Sequence, residues 1–174
     1  YHLKSFDRDT SIGLIQQLEQ GANIEFDAAI REKVVDRIVF CLPFFIQIVF
    51  EKMTALIKID DAETDPALVD KAYEAIIEES YLNTWIERLK EQYSNFETDA
   101  FLLLKHICQE KEGSKRDNLL QILSAKYSDN DKAEDTLSTL LYMLQNDGYL
   151  MEEGGRYYFR SPLIRDFWYN RHVK

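Results

Sequence analysis

Proline and glycine are scarce in this chain, three and six among 174 residues, and that scarcity leaves little room for long irregular segments. Helices are therefore expected to dominate. Cysteine is rarer still. Cys41 and Cys108 lie far apart, each among apolar residues, and read as buried free thiols of a cytoplasmic protein rather than as a disulfide framework. No Cys/His spacing suits zinc. No run of about eighteen apolar residues occurs, so no helix is expected to span a membrane. The densest apolar segment, Ile38 to Phe50, is interrupted by Pro43 and Gln47. No basic and apolar signal segment opens the chain, and its start at Tyr1 without Met fits a fragment of something larger. Basic residues are outnumbered 21 to 31, a net charge of −10. That balance argues against broad, non-specific nucleic-acid binding, which needs Lys and Arg to displace counterions.

What is present is helical periodicity. Asp9-Thr10 is placed to cap a helix carrying Leu14, Ile15 and Leu18 that Gly21 would end, and Asp27 to cap the next, with Ile30, Val34, Val35 and Ile38 at helical spacing. Pro43 suits a first turn, so one helix is expected to end near Phe40 and another to start at Pro43 and run to about Ile57. Asp65-Pro66 is a further start signal, and Tyr81 to Tyr93 is helical by pattern. Whether the segments from Pro66 to Tyr93 form one helix or two is left open by the pattern. Ser94-Asn95 is the expected domain boundary, giving an all-helical region over 1–94 and a second domain over 95–174.

The second region has shorter pieces. A first helix carries Phe101, Leu104 and Ile107, and Ser114 is placed to cap a second with Leu119, Leu120, Ile122 and Leu123. The third spans about Lys132 to Asn146 and places Ala133, Leu137, Leu140, Leu141 and Leu144 on one stripe. Tyr149–Glu152 and Arg156–Phe159 are aromatic-rich strands joined by a glycine turn, and Ser161-Pro162 starts a last helix. Three helices, a hairpin and a helix predict a winged helix-turn-helix. The expected fold class is mainly α, a helical lid-like subdomain followed by a winged helix with one small β-hairpin.

No catalytic constellation is found. His2, His106 and His172 have no companion nucleophile, and acidic neighbours such as Glu78-Glu79 point about 100 degrees apart on a helix. Gly154-Gly155 is too short to cradle a phosphate. The chain is expected not to be an enzyme and to hold no metal. Winged helices often set their third helix in a major groove. Here, however, that helix starts with Asp129, Asp131, Glu134 and Asp135 against Lys132 alone. The C-terminal stretch is opposite in sign, with Arg156, Arg160, Arg165, Arg171 and Lys174 against Asp166. Arg156, Arg160, Arg165 and Trp168 are therefore the candidates for docking or phosphate contact. The last helix, with Leu163, Ile164, Phe167 and Trp168, is expected to pack mostly on its own winged helix, with Trp168 or Tyr169 as an exposed remnant able to dock on a neighbouring domain.

Asp147-Gly148-Tyr149-Leu150 and Tyr158 through Trp168 (Tyr-Phe-Arg-Ser-Pro-Leu-Ile-Arg-Asp-Phe-Trp) resemble the end of bacterial and archaeal P-loop ATPases of the AAA+/STAND type. Leu3-Lys4-Ser5-Phe6 resembles the link from the last core strand into the helical lid of such proteins, and Cys41-Leu-Pro-Phe-Phe-Ile-Gln47 resembles the lid's Gly-x-Pro-x-x-Leu-Gln element. No Gly-x-x-x-x-Gly-Lys-Ser/Thr segment occurs. The resemblance thus implies a lid and winged helix without the hydrolysing core, ATP and Mg being expected only with that core. It carries Pro43 over as a residue near nucleotide, with Cys41 standing where the family has glycine. The expected function is a non-catalytic regulatory and interaction module of a larger ATPase, whose partners are its own core and an unknown protein. The alternative is a DNA-binding winged-helix transcriptional regulator, and a third reading is an interaction scaffold with no nucleotide link.

Overall fold

The computed structural model describes residues 4–174. His2, and Leu3 of the segment likened to a core-to-lid link, lie outside the described residues. The chain divides into two compact units, one of residues 4–81 and one whose continuous part is Leu82–Lys174. The division falls between Tyr81 and Leu82, whereas the sequence placed a boundary at Ser94-Asn95. The helix between these points belongs to the second unit.

The first unit is entirely helical: α1 (Arg8–Ala22), α2 (Ala28–Ile38), α3 (Pro43–Asp60) and α4 (Ala67–Glu78). Its start signals are side-chain caps. Asp7, not Asp9, caps α1 by accepting from the Thr10 N–H at 2.8 Å, and Asp27 caps α2 by accepting from Ile30 at 2.8 Å. The first four amides of a helix lack intrahelical partners, and a side-chain cap satisfies one of them and contributes about 1 kcal/mol. α1 passes through Gly21 and stops one residue later, where Asn23 turns into the left-handed region at φ 55°. Phe45, Ile46, Val49 and Met53 of α3 are buried against α1, α2 and α4, which contribute Ile15, Ile30, Val34, Ile38, Leu68, Ala72, Tyr73 and Ile76. Each such side chain contributes roughly 1.5–3 kcal/mol by leaving water. One charged pair accompanies this core. Glu19, 5% exposed, accepts a fork of bonds from Arg31 at 2.9–3.1 Å and a backbone bond from Phe26 at 3.1 Å. A buried carboxylate needs that full set of partners.

The second unit runs α5 (Asn83–Gln92), α6 (Glu97–Ile107), β1 (Ser114–Lys115), α7 (Arg116–Ser124), α8 (Asn130–Asn146), β2 (Leu150–Glu153), β3 (Arg156–Phe159) and α9 (Pro162–His172). The stripe expected on α8 is the stripe observed: Ala133, Leu137, Leu140, Leu141 and Leu144 are all buried. The sheet has three antiparallel strands in the order β1-β3-β2, with Met151 opposite Tyr158 and Ser114 opposite Tyr157. The expected hairpin is therefore β2-β3, and β1 is an addition. Ser114, expected as a helix cap, lies in β1, and Lys115 precedes α7 without a side-chain cap. Gly113 makes this turn possible. Its φ is +72°, and a Cβ there would meet the Tyr158 ring at 2.7 Å. α9 begins as expected, with Ser161 accepting from the Ile164 N–H and Pro162 in the first turn.

Candidate functional site

Trp168 is the centre of the second unit. It is fully buried, and its ring meets Phe101 at 5.3 Å, Phe159 at 6.2 Å, Tyr149 at 6.3 Å and His172 at 5.0 Å. Its side chain thus supplies core rather than surface, and its neighbour Tyr169, 43% exposed, is the aromatic that α9 presents to solvent. Tyr149 carries the cluster toward α5. Its ring stands edge-on to Trp85 at 5.1 Å, and its hydroxyl donates to the Trp85 carbonyl at 2.6 Å. Tyr93 at the end of α5 donates to Asp147 at 2.7 Å. Burial pushes the phenols of Tyr93 and Tyr149 well above the usual tyrosine range, and for Tyr93 the hydrogen bond to Asp147 adds to it. These contacts fix α5 to the second unit, and sequence patterning did not reveal them because aromatic pairs across a long separation leave no periodic signal.

The candidate arginines have separate surroundings. Arg156 on β3 donates to the Gly113 carbonyl at 2.9 Å and the Glu112 carbonyl at 3.4 Å, so it braces the turn before β1. Arg160 is half-buried beyond β3, and its backbone N–H donates to the Tyr149 carbonyl at 2.9 Å. Arg165 is half-buried on α9 and pairs with adjacent Asp166 at 2.7 Å. The exposed side of α8 carries Asp131, Asp135, Ser138, Thr139 and Tyr142, the last 70% exposed. Arg116 of α7 reaches onto this helix, pairing with Glu134 at 2.5 Å and donating to Ser138 at 2.7 Å. At the β2-β3 turn the exposed charges are Glu152 and Glu153, and Glu152 accepts from the Gly155 N–H at 3.2 Å. Phosphates approaching α8 or the hairpin tip would meet carboxylates first.

In the first unit, Pro43 opens α3 after an abrupt reversal. Val39 adopts φ 59°, ψ −57°, an unusual conformation for a β-branched residue. Leu42 donates to the Phe40 carbonyl at 2.9 Å and Phe6 to the Cys41 carbonyl at 2.8 Å. Cys41 is buried, its Sγ 3.8 Å from the Val35 carbonyl, so its side chain turns into the core. Burial pushes its thiol up. Val39 and Phe44 are exposed on either side of half-buried Pro43. No residue pattern around Val39 announces this conformation. A further depression of about 610 Å³ lies over α1 and α2, lined by Gln16, Gln20, Asn23, Glu25 and the Glu19–Arg31 pair. Among the described residues, no group of three or more His, Cys, Asp or Glu is arranged to hold a metal ion, and no helix is long and apolar enough to cross a membrane.

No protein-family model and no curated protein matches the sequence. Among solved structures, the chain is similar to a Walker-type ATPase of Pyrococcus abyssi at a TM-score of 0.61 and 16% identity. The match covers 95% of this chain and 42% of that one, so this chain spans less than half the length of that protein. At this identity the likeness is one of fold. The chain has a fold found within an archaeal P-loop ATPase.

Proposed function

We propose that this chain is the helical-lid and winged-helix region of a larger P-loop ATPase, and that it transmits the nucleotide state of an ATPase core to partner contacts without itself breaking a bond. The observation that carries this reading is the fold likeness to part of a Walker-type ATPase over nearly the whole chain. In this reading residues 4–81 are the lid, and the turn at Val39–Pro43 faces nucleotide held by the core. Inward-facing Cys41 supports that placement, since its side chain leaves the outer side of the turn open for close approach. The second unit is the winged helix, with α8 as its third helix and β2-β3 as its wing. Arg160, Arg165 and exposed Tyr169 supply partner contacts around α9, while Trp168 holds that helix from inside. A difference of a few kcal/mol between nucleotide states suffices to shift such a module.

Calorimetric titration tests the reading. The chain alone should show no ATP hydrolysis and no tight binding of ATP with Mg, and micromolar affinity would overturn it. A phosphate-binding loop encoded upstream in the same gene would support it further. The DNA-binding alternative has one favourable observation, the exposed Ser138, Thr139 and Tyr142 on α8, set against the carboxylates beside them. A gel shift with duplex DNA at low salt, lost on Arg156→Ala with Arg160→Ala, would favour that alternative.

A further inference from the structure

The depression over α1 and α2 holds about 610 Å³, inside the range of roughly 300–1,000 Å³ usual for clefts that take small ligands. Its lining is polar apart from half-buried Ile24. Gln16, Gln20 and Asn23 follow one another at helical spacing along α1 and its cap, so three carboxamides share one wall. Glu25 comes from the connector to α2, and the Glu19–Arg31 pair completes the lining. That pair is the fixed part. Both carboxylate oxygens of buried Glu19 accept from Arg31 at 2.9–3.1 Å, and one also accepts from the Phe26 N–H at 3.1 Å.

The charge left over is negative. Glu19 and Arg31 cancel each other, and the connector over 23–27 adds Glu25 and Asp27 with no cation. Among the described residues, no lysine or arginine forms an ion pair with Glu25. α1 also ends at this cavity. The last turn of a helix presents the negative end of its dipole, which a basic side chain there often offsets. α1 has no basic residue in its last turn. A cavity of ligand size thus joins an unpaired carboxylate, three carboxamides and an uncompensated helix end.

We propose that this cavity binds a guanidinium group, carried by a small molecule or by an arginine side chain of a partner segment. A guanidinium only donates, through five N–H groups in a planar fork, and Gln16, Gln20, Asn23 and Glu25 offer it oxygen acceptors from two sides. Carboxamides can turn either end toward a ligand, so Glu25 and the α1 terminus decide the sign. Arg31, the one cation in the lining, is already held by Glu19 and does not call for an anion. Ile24 gives the methylene stem of the ligand an apolar wall. An ammonium group is a compact point charge and reaches fewer of these acceptors at once. The site does not depend on whether the chain works with an ATPase core.

The test titrates the whole chain, followed by NMR, with two probes: agmatine, and a capped tripeptide with arginine between two glycines. At least one should bind with a Kd of about 1 mM or below and shift the backbone amides of residues 23–26 and the side-chain amides of Gln16 and Gln20. Tighter binding of the tripeptide assigns the guanidinium to a protein segment, and tighter binding of agmatine assigns it to a free small molecule. Exchanging the guanidinium of the better probe for an ammonium group should weaken it by at least ~5-fold. Glu25→Gln, at an exposed connector position, should also weaken it by at least ~5-fold while leaving the thermal midpoint in place. Neither probe shifting these amides would overturn the proposal. So would equal affinity for the ammonium probe, or an affinity that Glu25→Gln leaves unmoved.

Discussion

The two units solve the burial of polar groups in different ways. The first closes an aliphatic and phenylalanine core over α1 to α4, and its deep polar contact is a charged pair, Glu19 with Arg31. The second is built around one tryptophan, and its deep polar contacts are mostly phenols: Tyr93 to Asp147, Tyr149 to a backbone carbonyl, and Tyr127 to buried Asp99, which Lys126 also pairs from a more exposed position. Charged pairs must lose hydration on both partners, whereas a phenol loses little and brings a large apolar ring with it. The first unit should therefore depend on partners kept intact, and the second on volume kept filled.

Removing volume from the second unit is the strongest way to break this contrast. Trp168→Ala should cost about 4 kcal/mol, through the cavity left among Phe101, Tyr149 and Phe159. Both tryptophans lie in this unit, so the loss should appear in the remaining tryptophan fluorescence under denaturant. Amide exchange on α1 to α4 should hold steady. In the first unit the matching experiment is Arg31→Met, which leaves Glu19 buried without its fork and should cost roughly 3 kcal/mol. Adding Glu19→Met should recover most of that loss in thermal melts. A double variant as unstable as the single one would break the contrast.

Smaller effects sharpen it. Gly113→Ala should destabilise the second unit by about 1–2 kcal/mol, because a methyl group there runs into the Tyr158 ring and the backbone φ is +72°. Val39→Gly should act in the opposite direction on the first unit. Releasing a β-branched residue from φ 59° is expected to stabilise by about 1 kcal/mol, read as a rise in denaturation midpoint. The smallest effect is one of acidity. The folded pKa of His172 lies below its unfolded value of 6.5, so the unfolded chain binds the proton first. The second unit should lose stability gradually as pH falls below that value. His172→Gln should flatten the slope, and the first unit, with no histidine among its described residues, should not show it.

The elements legible in the sequence were those governed by local rules. Asp27 capped its helix, Pro43 opened α3, the α8 stripe was buried as spaced, and β3 occupied Arg156–Phe159 as read. Each rests on a side chain acting within about one turn or on an uninterrupted period. What escaped was set by distant partners. β1 exists because Ser114 and Lys115 find Tyr157 and Arg156 more than forty residues later. α5 carries an ordinary amphipathic pattern, and only the reach of Tyr149 and Asp147 assigns it to the second unit. The same holds for the candidate site. Arg156, Arg160 and Arg165 were visible as charge, but their carbonyl and carboxylate partners were not.

The two cysteines acquire a use from where they sit. Cys41 belongs to the first unit and Cys108 to the second, both are buried, and burial raises both thiols, Cys108 to about 11. At neutral pH neither offers much thiolate until its surroundings open. The chain therefore carries one built-in reporter of opening in each half. The rates at which a thiol reagent reaches Cys41 and Cys108 read the opening free energies of the two units separately, in one sample and without a label.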